Sequence, residues 1–160
     1  MLGSQEFRVD TLDRILSLCV YPPDVNYANS FDIAHYVLHG TSLISRRLVM
    51  RLGGFDERLK LCGDADFHAR SVYGGRVVNL SSFCTFRRVR GGSLTTHETT
   101  GYKSMARIVE DKFVSLRARR NIELQKAGEE PNYSVPYAPR VGFIHHHGPK
   151  LRLSEQGLAV

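Results

Sequence analysis

With 160 residues, 42% of them hydrophobic, the chain has the size and apolar content of one compact domain. No apolar run is long enough to span a bilayer as a helix and no basic-then-apolar leader opens the chain, so the expected location is cytoplasmic, which is compatible with a peripheral membrane contact. Three widely spaced cysteines, Cys19, Cys62 and Cys84, argue against a disulfide partner or zinc knuckle and for buried thiols, while a net charge of +6 favours an anionic partner.

Taken in chain order, Leu12, Ile15, Leu16 and Cys19 recur at helical spacing after Asp10, and Pro22-Pro23 must end that first predicted helix. Residues 34–45 read as a strand entering a tight site, with Gly40 allowing close approach of backbone or ligand. Residues 46–52 form a short predicted helix stopped by Gly53-Gly54. Asp64 stands at the N-cap of a helix running to about Tyr73, and residues 76–80 and 82–88 supply two strands. From Tyr102 a long helix carries the stripe Tyr102, Met105, Ala106, Val109, Phe113 and Leu116, with Arg107, Lys112, Arg117, Arg119 and Arg120 mostly off it. Beyond Gly128 periodicity vanishes, so residues 129–160 are expected to be an irregular tail behind a domain of residues 1–128.

The segment from Gly40 to Thr95 concentrates the chemistry. Gly40-Thr41-Ser42 is followed by Arg46-Arg47 and then by Gly53-Gly54-Phe55-Asp56-Glu57. Asp64-Ala65-Asp66-Phe67 and Arg70 come next, before Gly75-Arg76-Val77-Val78 and Arg87-Arg88-Val89-Arg90-Gly91-Gly92-Ser93-Leu94-Thr95. This succession resembles the acceptor-side half of family-two glycosyltransferases. The resemblance implies an α/β fold, a partial A-type (nucleotide-diphospho-sugar transferase-like) fold lacking most of the N-terminal nucleotide-binding half. It also implies inverting transfer of a sugar from a nucleotide-sugar donor to a hydroxyl of a sugar or lipid-linked acceptor.

Asp64 matches the family's general base, and the positive end of a helix dipole favours a charged carboxylate there. Gly53, Gly54, Asp66 and Arg70 match the acceptor-binding side, although a helix cap and an ordinary ion pair explain the same residues. Arg88, Arg90 and Ser93 fall where the family meets the diphosphate, and a solvated hairpin turn is the plain alternative. Arg90 stands in place of the family's histidine, which leaves His97 as the nearest candidate metal ligand.

The family's Asp-x-Asp, which holds Mn²⁺ or Mg²⁺ on the diphosphate, has no counterpart in the stretch from Leu2 to Phe7. Gly3-Ser4 and Glu6-Phe7 also read as translations of common cloning sites, which leaves the native origin of residues 1–7 open. Asp64-Ala65-Asp66 would serve as the metal motif only if it ended a strand. A partner chain supplying the nucleotide-binding half is a further expectation. The rival class is a basic, non-catalytic binding module for anionic lipid or nucleic acid, the latter lacking any recognisable motif. His145-His146-His147 cannot converge on one ion from an extended strand and reads as tail polarity.

Overall fold

A computed structural model describes residues 1–30 and 37–135. Among them, three strands and four helices make a small mixed α/β fold. Strands β1 (Leu2–Val9), β2 (Ile15–Cys19) and β3 (Val78–Arg88) form one sheet in the order β2-β1-β3. The helices are α1 (Val25–Asn29), α2 (Arg46–Arg51), α3 (Gly63–Gly74) and α4 (Met105–Lys126).

The central strand takes in most of the segment whose native origin the sequence left open. Its Ser4, Gln5 and Glu6 are buried, a polar set that hides the strand from any hydrophobic pattern. Gln5 makes this tolerable by donating from Nε2 to the carbonyls of Tyr21 and Leu80 and accepting from the Tyr21 amide. β1 runs antiparallel to β2, pairing Glu6 with Cys19 and Phe7 with Leu18. It runs parallel to β3, pairing Leu2 with Val78 and Arg8 with Arg87.

The first predicted helix is corrected by this hairpin. Asp10 does not cap a helix; its Oδ1 accepts from the amides of Leu12 and Arg14 and its Oδ2 from Arg14 Nε, which closes the turn into β2. Asp13 takes the left-handed conformation there, with φ of 60°. β2 is an edge strand whose Ile15, Leu16 and Leu18 are exposed. The pair of strands expected over 76–88 is one strand, β3, whose register against β1 shifts near Gly3 and Gln5. In the described part of 34–45 a single 3-10 turn (His39–Thr41) and a bridge from Leu43 to Leu2 replace the expected strand, and a Cβ on Gly40 would meet nothing within 4 Å.

Helix α2 begins on Ser45, whose hydroxyl accepts from the Leu48 amide, and ends before Gly53 and Gly54 at φ of 74° and 82°. Leu48 and Leu52 pack on Phe67 of α3 in one apolar patch; Val25, Val37 and Val77 form a second, and Cys62, Ala65 and Val114 a third. Helix α4 reaches the third patch with Val114 and buries Ala118 on the same side, so the stripe noted in its sequence faces outward instead. Residues 129–135 form no helix or strand, yet Asn121 and Asn132 exchange two hydrogen bonds and the Val135 amide donates to the Leu52 carbonyl. The triple histidine lies outside the described residues. No described helix is long and apolar enough to cross a membrane. Of the thiols, Cys62 is buried, Cys19 partly so, and Cys84 is exposed, contrary to the expectation of three buried ones.

Candidate active site

Helix α3, β1, β3, α4 and the 3-10 turn enclose a cavity of about 450 Å³. Asp64 and His68 come to it from α3, Arg8 and Arg87 from neighbouring positions on the sheet, and Arg107 and Asp111 from α4. His39 from the turn, Tyr21 and Tyr102 complete its polar lining.

Asp64 is not the N-cap; Cys62 is, and Asp64 sits in the first turn of α3. Its carboxylate is exposed toward the cavity, with Oδ1 accepting from the Ala65 amide at 2.9 Å. The loop before the helix is fastened by Glu110 of α4, which accepts from the amides of Lys60, Leu61 and Cys62 at 3.1, 2.8 and 3.0 Å. Burial acts to raise the Glu110 pKa, but these backbone donors outweigh it and hold the carboxylate below its usual range. Residues 58–62 form no strand, so Asp64-Ala65-Asp66 is not a strand-end metal motif.

The cationic wall is organised by Glu6. This buried carboxylate accepts from Arg8 Nε at 2.9 Å and lies 3.8 Å from Arg87. The hydrogen bond that Arg8 donates to Glu6 raises the Arg8 pKa, and the one that Arg87 donates to the Tyr102 hydroxyl at 3.2 Å raises that of Arg87. Arg107 stacks over the Tyr102 ring at 5.3 Å and donates to the Thr100 and Leu61 carbonyls. Three guanidinium groups held in this way suit an oxyanion-rich ligand.

Opposite chemistry gathers at the 3-10 turn. His39 Nδ1 lies 3.2 Å from His68 Nε2, so one imidazole donates to the other. The edge of the His39 ring meets Phe55, which stacks on Phe67. The double-glycine turn therefore touches the cavity lining through Phe55, not through Gly53 or Gly54 themselves.

Asp66 and Arg70 do not line the cavity. Both are 1% exposed and paired at 2.7 Å, with Arg70 also donating to the carbonyls of Leu52 and Gly54 at 2.8 Å and of Tyr133 at 3.3 Å. Arg117 of α4 bridges Asp66 and Asp56. Arg58 donates twice to Asp56 and is the main reason its pKa is held at about 2. The network fixes the double-glycine turn, α3, α4 and the tail to one another.

Arg88, Arg90, Ser93 and His97 do come together, around a shallow depression of about 670 Å³ that shares Arg87 with the Asp64 cavity. Arg88 is paired with Asp13 of the β1–β2 turn. The Ser93 amide donates within the loop to Thr96 Oγ1, and His97 Nδ1 lies 3.0 Å from the Thr99 hydroxyl. Among the described residues no three His, Cys, Asp or Glu side chains converge as a metal ligand set.

The sequence reading missed Arg8, His39, His68, Arg107 and Glu110, and it chose Arg88 over Arg87. Strand alternation carried a signal for the last: Phe83, Thr85 and Arg87 are the half-buried positions of β3, while Cys84, Phe86 and Arg88 are exposed. The chain matches no known protein family, no curated protein and no solved structure.

Proposed function

We propose that this chain is the acceptor-side half of an A-type, inverting glycosyltransferase, with Asp64 as the base that takes the proton from the acceptor hydroxyl. The reading rests on the order of motifs from Gly40 to Thr95, and one observation in the fold supports it most: Asp64 lines the same cavity as Arg8, Arg87 and Arg107. A reaction of this class needs that combination. As the acceptor oxygen bonds to the anomeric carbon, its proton passes to Asp64; the bond from that carbon to the diphosphate breaks, and its electron pair leaves on the diphosphate. Fixed guanidinium groups stabilise the charge that develops on the departing oxygen.

In this reading His39, Phe55 and His68 shape the acceptor side, the arginines of the sheet and α4 meet the diphosphate, and the Arg88–His97 loop extends that anionic surface. Asp66 and Arg70 position the acceptor side from behind. A partner chain or an adjoining segment would supply the nucleoside-binding half and the exposed edge of β2 offers it a sheet to join.

Calorimetry with nucleotide diphosphates on the wild type and on Arg87→Ala, joined to a sugar-release assay on Asp64→Asn, tests the assignment. Arg87→Ala is expected to weaken diphosphate binding by about tenfold or more, as for a charge-assisted contact. Asp64→Asn is expected to lower turnover by about 10²–10⁴-fold with binding retained. An unchanged rate in Asp64→Asn would remove the base assignment.

A further inference from the structure

We infer that the outward face of α4 docks on an anionic lipid surface. The inference stands apart from sugar transfer and draws on a different set of residues. Met105, Val109, Phe113 and Leu116 follow one another at intervals of four, four and three residues, so they share one side of the helix. They are exposed by 71%, 62%, 44% and 57%, and Ile108 beside them by 46%. The opposite side, carrying Val114, Ala118 and Asn121, is the one packed on the fold. A contiguous apolar stripe in water on a 22-residue helix requires a partner or a reason to lack one.

Charge selects the partner. Lys112, Arg119 and Arg120 are exposed beside the stripe. Of the helix's acids, Glu110 is engaged by the 60–62 amides and Asp111 lines the cavity, while Glu123 lies near Arg120 at 3.7 Å. An apolar stripe flanked by cations is the pattern of a helix that lies in the headgroup layer of an acidic bilayer. A second copy of the chain would bring basic rim against basic rim, which like-charge repulsion opposes. Tyr102 and Ile108 are exposed and also line the Asp64 cavity, so a bilayer under α4 would lie at the cavity's rim.

The test is co-sedimentation of the full chain with vesicles of phosphatidylcholine alone or mixed with phosphatidylglycerol, at low and high salt. Wild type is expected to bind the mixed vesicles, and salt to weaken that binding. The Val109→Glu/Phe113→Glu variant is expected to fall to the level of neutral vesicles. Arg119→Ala and Arg120→Ala are expected to lose about fivefold each and to flatten the salt dependence. Because the chain has no tryptophan, Phe113→Trp gives a direct signal, and its emission is expected to shift to the blue on mixed vesicles only. Absence of wild-type binding, an unaltered Val109→Glu/Phe113→Glu variant, or an unshifted Phe113→Trp spectrum overturns the inference. So does light scattering that finds a dimer lost in Val109→Glu/Phe113→Glu without any vesicle binding, which would assign the face to a second copy. Asp64→Asn should bind vesicles as wild type does, which separates this result from any failure of the proposed chemistry.

Discussion

Replacing Arg70 with methionine separates a structural role from a substrate-binding one. The side chain is 1% exposed and donates to Asp66, Leu52, Gly54 and Tyr133. Methionine fills much of the volume of the stem but leaves Asp66 with Arg117 alone and deprives the partly buried Gly54 and Tyr133 carbonyls of their donor, while the Leu52 carbonyl keeps the Val135 amide. Breaking a buried ion pair from one side costs about 3–5 kcal/mol, and the remaining contact to Arg117 favours the lower part of that range for the charge itself. The unpaired carbonyls add roughly 1 kcal/mol each, so a net loss of about 5 kcal/mol is expected. That is a large share of a domain's usual stability of about 5–15 kcal/mol, and urea unfolding followed by circular dichroism will register it. Arg70→Lys, which keeps the charge without the planar fork, should fall between. Asp64→Asn, at an exposed position, should stay within about 0.5 kcal/mol of wild type. Arg70→Met within about 1 kcal/mol of wild type, or Asp64→Asn as damaging as Arg70→Met, would refute the division between a buried brace and an open site.

The two glycines of the turn should respond unequally. Gly53→Ala places a methyl 2.1 Å from the Val135 carbonyl oxygen at a φ of 74° and is expected to cost about 2 kcal/mol or more and to hasten proteolysis of residues 129–135; Gly54→Ala, with nothing within 4 Å, should cost about 1 kcal/mol in thermal unfolding. Glu110→Ala removes the acceptor of three amides ahead of α3 and is expected to cost about 1–2 kcal/mol, with faster amide exchange at Leu61 and Cys62. Asp56 has its pKa lowered from 3.8 to about 2 in the fold, so its contribution is complete above about pH 5 and is lost as pH falls through the interval down to about 2. Acid unfolding of Asp56→Asn should lack that part of the slope, and an unchanged slope would show that other carboxylates dominate it.

Local chemistry made some of this fold legible. The double glycine stops α2 as its sequence implies, because a terminator acts within one turn. The edge strand was misread because Leu12, Ile15, Leu16 and Cys19 satisfy helical spacing although Leu12, Ile15 and Leu16 expose most of their surface, and because the Asx turn at Asp10 leaves no mark in that spacing. β1 was invisible because its buried run Ser4-Gln5-Glu6 is polar, and Gln5 depends on partners far along the chain, Tyr21 and Leu80. At the candidate site, Asp64 was singled out from its place in a motif. Arg8, His39 and Arg107 were not, since only tertiary packing brings a strand, a turn and a late helix to the same cavity.

The middle strand of the sheet imposes an order of events on biosynthesis. Leu2 pairs with Val78 and Val9 with Arg88, so β1, once translated, must wait for a parallel neighbour that is translated after α3. At usual elongation rates the delay is on the order of several seconds, far longer than hairpin formation takes. During it β1 has β2 as its only sheet neighbour, which leaves one edge and the aromatic ring of Phe7 without the cover of Phe83 and Phe86. Chaperone dependence of the nascent chain should therefore end once β3 has emerged.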